Sequence, residues 1–363
     1  MRRASLPIVT FILAGVFMSA QSSTPFKLGT FDNKGRTFVG IVLRESVVID
    51  FAAAHQAIPV SGKAVAAPVD MKDLIVRYES GLRSRIAEII RGVEQAGAMR
   101  PPYVYDLAAV KVLPPIMYPT TMLNVAVNYA AHDQEMAQLR EQVPGMGAAT
   151  SGAALPGTRS APGIWERAAD DARWNPYMFM KSPAAIIGDG EAIRLPPGRT
   201  QVDWECELGV VVARQATRVP IARSADYIFG YTLQNDVSDR GGRGDTRYGS
   251  DWLISKNHDT FAPLGPFITP KEFIADPQRL TVRFVLNGQV MQEASTSLMI
   301  HNVFEQIAYA SNIMTLRPGD IVATGTPAGV GSARTPPVYF KPGDRSVCTY
   351  EGVGTLTNSV VGS

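Results

Sequence analysis

The chain has 363 residues, 45% of them hydrophobic and 19% charged, with a formal net charge of +2. That is enough apolar material for a sizeable core, and it excludes a chain dominated by disorder. A near-neutral charge with no basic stripe excludes nucleic acid or a membrane surface as the organising partner.

The N-terminus carries Arg2 and Arg3, an apolar run from Leu6 to Met18, and then Ser19-Ala20-Gln21-Ser22. A bilayer span needs about 20 apolar residues, so this shorter run with its basic start is expected to be a signal peptide over residues 1–22. The mature chain would then be exported, to a periplasm or out of the cell, with no membrane segment of its own. Residues 26–113 are expected to form a small α+β domain. Strands fit 27–31, 37–43 and 46–51, and Leu74, Ile75, Tyr78, Leu82, Ile86, Ile89 and Ile90 recur at helical spacing through 74–93. Pro114-Pro115 and Tyr118-Pro119 mark a boundary, after which residues 120–363 are read as a larger domain.

A strand at 123–127 runs into Asn128-Tyr129-Ala130-Ala131-His132-Asp133-Gln134-Glu135, and a helix is expected from Ala130 to Gln142. His132 and Glu135 then fall at i and i+3 on one face. A carboxylate beside an imidazole fixes its tautomer and raises its pKa, which a general base needs; ordinary solvated helix surfaces carry the same pair. From Ala148 to Ala172 the chain becomes rich in Gly, Ala, Ser and Pro, and a lid or insertion is expected at about 137–175.

Asp203-Trp204-Glu205-Cys206-Glu207-Leu208 comes next and continues into an apolar strand at 209–213. Glu205 and Glu207, two apart, leave the same face of that strand. Such neighbours raise each other's pKa unless a cation lies between them, so the spacing fits either a hard divalent metal or two solvated surface acids. Cys206 and Cys348 lie in separate expected strands without zinc or redox spacing; export would permit a disulfide between them, but the sequence does not place them within bridging distance and both are expected as core residues. Asp236 follows the apolar strand 227–232 and is placed to supply a third carboxylate. A polar loop at 240–250, a hairpin turning at Asn287-Gly288, a helix at 300–314 and the glycine-rich loop 324–331 complete the order.

Taken in sequence, five motifs resemble the fumarylacetoacetate hydrolase family. They are Asn-Tyr-x-x-His-x-x-Glu from Asn128, Glu-x-Glu-Leu from Glu205, Asn-Asp-Val-Ser-x-Arg from Asn235, Lys-x-x-Asp-Thr-Phe-x-Pro-Leu-Gly-Pro from Lys256, and Thr-Gly-Thr-Pro-x-Gly-Val-Gly from Thr324. The likeness covers about 123–358, the lid excepted. It implies an α+β, β-rich fold: a mixed β-roll or sandwich catalytic domain behind the small N-terminal α+β domain. By motif it implies Glu205, Glu207 and Asp236 as ligands of Mg²⁺ or Mn²⁺, and His132 with Glu135 as the dyad that activates water. It also implies Lys256 as a catalytic and substrate-facing cation, Thr326 as a contact to the substrate carboxylate, Asp259 as support for Lys256 or its loop, and a homodimer. His258 stands where the family has an aromatic residue and is expected to pack; His301 is expected as a helix-end residue.

The resemblance further implies a small 2-oxo acid substrate and hydrolysis of a C–C bond of the acylpyruvate or β-diketone type through a metal-bound enolate. An oxaloacetate-type decarboxylase or a dienol-diacid isomerase would use the same site, because those reactions share the enolate. An exported metal- or ligand-binding protein without turnover is the reading from another class, against which the dyad and Lys256 argue.

Overall fold

The computed structural model describes residues 24–363 except 63, 98, 143–160, 162, 166–169 and 242–250. The expected signal peptide and most of the expected lid lie outside these residues. Strands β1 (Lys27–Asn33), β2 (Arg36–Leu43) and β3 (Val47–Asp50) form an antiparallel meander. The helical periodicity of 74–93 yields two helices, α1 (Met71–Arg77) and α2 (Arg83–Gln95), because Gly81 breaks the run at φ 130°. The apolar stripe survives the break: Leu74, Ile75, Ile86, Ile89 and Ile90 are all buried in one core with Val211, Ile268 and Ile321.

The rest of the chain supplies β4 (Met122–Ala126), α3 (Ala130–Gln142), β5 (Tyr177–Met180), β6 (Cys206–Val212), β7 (Ile228–Asn235), α4 (Trp252–Lys256) and β8 (Ala262–Pro270). It closes with β9 (Thr281–Leu286), β10 (Gln289–Ser295), α5 (Val303–Ile313), β11 (Ile321–Ala323), β12 (Arg345–Tyr350) and β13 (Gly354–Val361). Asn287 and Gly288, at φ 51° and 86°, make the hairpin turn between β9 and β10 as expected. Helix α5 starts three residues later than its apolar pattern, since Asn302 caps it in a reciprocal capping box with Glu305.

Among the described residues these strands build two open sheets. One has 12 strands and runs β3-β2-β1-β8-β7-β6-β11-β4-β5 through its middle; the other has five and runs β10-β9-β12-β13 before Ala192–Arg194. The N-terminal meander joins the large sheet directly, with Leu28 of β1 opposite Ile268 of β8. The fold is therefore mixed α+β and sheet-dominated, as expected, and neither sheet closes into a barrel.

Strand β6 is central to this arrangement. It pairs with β7 and β11, and all of its residues are buried. Leu208, Val210 and Val212 point to the small sheet, where Val282, Phe284, Tyr350 and Leu356 share their core. Each such side chain contributes about 1.5–3 kcal/mol when fully buried. Val211 packs on the opposite face under the N-terminal helices, and Glu207 shares that face by parity. Cys206 and Cys348 are buried as expected, but they are not independent core residues: a disulfide joins them across the sandwich, Cα to Cα 5.6 Å, over 142 positions of sequence. No local spacing signals a pair that only the stacking of two sheets brings together.

Candidate active site

Glu205 immediately precedes β6, Glu207 lies within it, and Asp236 follows the end of β7. Cross-strand pairing sets Cys206 opposite Asn235, and two local bonds then lock the three acids together. The Glu205 amide donates to Asn235 Oδ1 at 3.0 Å, and the Asp236 amide donates to the Glu205 carbonyl at 2.8 Å. Glu205, Glu207 and Asp236 each bring a carboxylate oxygen within 4.8 Å of the others, and all three are buried.

Three cations surround them. Lys256, at the end of α4, donates to Glu205 Oε2 (2.9 Å), Asp236 Oδ2 (2.6 Å) and Ser238 Oγ (2.6 Å), with Phe179's ring centroid 5.1 Å away. Lys181 donates to Asp236 Oδ1 at 2.5 Å and to the Val237 carbonyl at 2.9 Å. Arg240 reaches Glu205 Oε1 at 2.5 Å and Asp203 Oδ2 at 3.1 Å. Burial alone would raise the Glu205 carboxyl, but the Lys256 and Arg240 charges overcome it and hold this group far below the usual carboxylate range. Glu207 is opposite in sign. Burial pushes it well above the usual range and the Asp236 and Glu205 charges push further, with Lys256 and one amide only partly opposing.

That amide, from Gly325 at 3.0 Å, is the one hydrogen bond to the Glu207 carboxylate among the described residues, and no cationic side chain bonds it. A buried carboxylate so placed calls for positive charge, and three convergent carboxylates are the hard oxygen donors that a divalent ion takes. The triad fits such a metal.

His132 and Glu135 on α3 do form a pair. Nδ1 lies 3.2 Å from Glu135 Oε2, and His132 is only 3% exposed. A carboxylate can only accept, so Nδ1 carries a proton, and in the neutral ring Nε2 is the nitrogen with the lone pair. The cleft beside it is lined by Val125, Val127, Met136, Phe179, Trp252 and Thr326, together with Glu205, Arg240 and Lys256.

The glycine-rich loop 324–331, with Ser332 just after it, fastens three acids at once. Gly325 N–H holds Glu207, Gly329 N–H holds Glu135 Oε1 at 2.8 Å, and the Gly331 and Ser332 amides hold Asp203 at 2.7 and 3.0 Å. Gly329 sits at φ 104°, and a Cβ there would lie 2.1 Å from the Met291 carbonyl, so no other residue lets this amide reach Glu135. Thr326 borders the cleft, but its hydroxyl already accepts from Gln292 at 2.7 Å and donates to the Cys206 carbonyl at 3.2 Å.

Asp259 does not support Lys256. It is exposed, and the three Lys256 bonds go to Glu205, Asp236 and Ser238. His258 packs its ring on Phe261, centroids 5.0 Å apart, with Nε2 3.5 Å from Asp239. His301 precedes the cap of α5 and is 4% exposed, its Nε2 2.7 Å from the Trp174 carbonyl. Sequence reasoning gave no role to Lys181, Arg240, Asp203 or Ser238. The available signals were Ser238 and Arg240, both inside the Asn-Asp-Val-Ser-x-Arg motif.

Fold and site together define a sandwich protein with a carboxylate-lined candidate metal centre and an adjoining acid–base pair. Residues 121–361 match the family model described as fumarylacetoacetate (FAA) hydrolase C-terminal, and the chain belongs to that family. It is 35% identical over 252 residues to the rat mitochondrial oxaloacetate tautomerase Fahd2a, covering 69% of this chain and 70% of that protein. Identity to the bovine mitochondrial oxaloacetate tautomerase FAHD2A is 41% over 186 residues, 51% of this chain and 59% of the bovine protein's length. Maleylpyruvate hydrolase from Sphingobium sp. SYK-6, in complex with manganese(II) and pyruvate, superposes with TM-score 0.65 at 27% identity, covering 93% of this chain and 99% of that one.

These relatives correct the expectation of export: the rat and bovine proteins are both named as mitochondrial. The basic, apolar start that prompted it lies outside the described residues, and no helix among the described residues is long and apolar enough to cross a membrane.

Proposed function

We propose that this chain is a divalent-metal-dependent enzyme that moves protons on the enol of a small 2-oxo acid, with Mg²⁺ or Mn²⁺ as the metal. The observation that carries the reading is the buried Glu205, Glu207 and Asp236 triad, whose Glu205 lines the same cleft as His132, a ring with Nε2 left to exchange a proton. A divalent ion held by the three carboxylates would draw electrons from the 2-oxo oxygen and make the enol accessible.

Tautomerisation is the first form of this chemistry, and the names of the rat and bovine relatives support it. The enol oxygen loses a proton and C3 gains one, so no co-reactant is consumed. Nε2 of His132 carries the proton, while Glu135, held by Gly329, keeps the ring in the tautomer that can do so. Lys256 and Arg240 hold Glu205 ionised.

A second reading, hydrolysis of an acylpyruvate, is favoured by the cleft wall. Val125, Val127, Met136, Phe179 and Trp252 suit a neutral acyl tail, and the cleft cations Lys256 and Arg240 are already committed to protein carboxylates. Here Nε2 would take a proton from water, hydroxide would add to the acyl carbonyl, and the C3–C4 bond would break. C3 is then protonated, giving pyruvate and a carboxylic acid.

Purified protein with Mg²⁺ or Mn²⁺, given enol-oxaloacetate and a series of acylpyruvates in parallel, tests both. Metal-dependent acceleration of enol loss is the expected result. Release of pyruvate from acylpyruvates would establish the second reading, and inert metal-loaded protein on every substrate would remove both.

A further inference from the structure

Seven non-glycine residues among those described adopt positive φ, and only two of them, Val127 at 54° and Thr260 at 70°, are β-branched. A branched Cβ is crowded in this region, so each needs a reason. Thr260 has a local one, since its hydroxyl accepts the Arg194 amide at 2.8 Å. Val127 has no polar side-chain atom to gain by the turn, and it borders the cleft, half-buried.

The strained turn is held from both sides. Before it, β4 is paired on both edges, Asn124 opposite Ala323 and Ala126 opposite Tyr177. After it, Asn128 Nδ2 donates to the carbonyls of His301 and Thr324 at 2.9 and 2.8 Å, and its Oδ1 accepts the His301 amide at 2.8 Å. Gly325 packs directly beneath: a Cβ there would lie 2.8 Å from both the Val125 carbonyl and Asn128 Cβ. These contacts fix the backbone whatever side chain Val127 carries, and glycine would meet the same φ without crowding. What the isopropyl group adds is therefore on the cleft side, where Val127 stands with Val125, Met136, Phe179 and Trp252.

We infer that Val127 is a specificity-determining residue, an apolar wall on a rigid turn that sets the size of the substituent a 2-oxo acid can carry in this cleft. The inference rests on the site reading above but not on which reaction follows. A compact ligand gains from contact with the isopropyl group, and a long one is limited by it.

The test is calorimetric titration of the Mn²⁺-loaded wild type, Val127→Gly and Val127→Leu with pyruvate and with 2-oxohexanoate, plus a thermal melt of each protein. Val127→Gly is expected to melt no lower than wild type and to shift the pyruvate to 2-oxohexanoate affinity ratio about fivefold or more toward the longer ligand. Val127→Leu is expected to weaken 2-oxohexanoate selectively. A ratio unchanged within about twofold in both variants overturns the inference, as does a Val127→Gly protein that melts well below wild type, because the isopropyl group would then serve the fold. Because the readout is binding, a shifted ratio without turnover sinks only the proposed reactions. Turnover with an unshifted ratio sinks only this inference. If wild type binds neither ligand, both fall together.

Discussion

Lys181 Nζ lies 2.5 Å from Asp236 Oδ1, and neither side chain has any exposed surface. The ammonium is drawn in opposite directions: burial depresses it, the Asp236 charge raises it, the Lys256 charge depresses it again, and it settles at about 8. A pair like this adds little net stability over an apolar pair, yet losing one partner leaves a charge in a dry interior. Asp236 keeps its Lys256 bond in Lys181→Met, so the variant is expected to cost less than a fully stranded charge, about 1–3 kcal/mol in chemical denaturation. Restoring part of that loss by adding Asp236→Asn would identify the half-paired carboxylate as the cause. Equal instability of single and double variants would point to packing instead.

Glu207 calls for the reverse outcome. Since no cationic side chain bonds it and Lys256 offsets its burial only in part, Glu207→Gln relieves a poorly compensated buried carboxyl while its amide oxygen can still accept from Gly325. Metal-free Glu207→Gln is expected to melt at or above metal-free wild type. Added Mn²⁺ should raise the wild-type melting temperature and leave the variant unmoved; at 100 times Kd such linkage is worth about 2.7 kcal/mol. An equal metal-induced shift in both proteins would take Glu207 out of the ligand set.

The contrast between these two residues shows what a sequence can and cannot disclose. Glu205 and Glu207 were readable because period two on a strand is local geometry, and His132 with Glu135 because i, i+3 on a helix is too. Lys181 was not, since its partner lies 55 positions away and a lysine after an apolar strand reads as a solvated end. The Cys206–Cys348 bridge escaped for the same reason, over 142 positions. Asp259 failed differently: motif position placed it near Lys256 in sequence, but the turn after α4 leaves it in solvent. The loop 324–331 was visible as a glycine pattern, while its work of presenting amides to Glu207, Glu135 and Asp203 needed the fold.

His132→Ala is expected to lower turnover by about 10²-fold or more, with Mn²⁺ affinity nearly unchanged because the imidazole is not one of the three ligands. Glu135→Gln should produce a smaller loss, since the imidazole remains, but His132 Nδ1 and Gly329 N–H bond different carboxylate oxygens and the amide can accept only one of them. Steady-state kinetics beside a metal titration separates the effects. A His132→Ala enzyme with full turnover would take the pair out of the chemistry.

Glu305 gives the protein a pH dependence remote from the metal centre. It completes the capping box of α5 by accepting the Asn302 amide at 2.9 Å, and it takes two bonds from Arg173 at 2.9 and 3.1 Å. Burial would raise its carboxyl, but the His301 ring nitrogen 3.8 Å away, the Arg173 bonds and the Asn302 amide outweigh this and bring it down to about 2. The folded pKa thus lies below the unfolded value of about 4.3, so the folded state binds fewer protons in between. The stabilisation is complete above that unfolded value and is lost as pH falls toward 2. After allowance for solvent screening at this half-buried site, the loss should be about 1 kcal/mol. Urea midpoints at several pH values from neutral down to the acid limit, for wild type and Glu305→Gln, isolate it from other acids. The variant should start less stable at neutral pH and approach wild type as the medium is acidified. Parallel curves throughout would mean that Glu305 does not titrate differently in the two states.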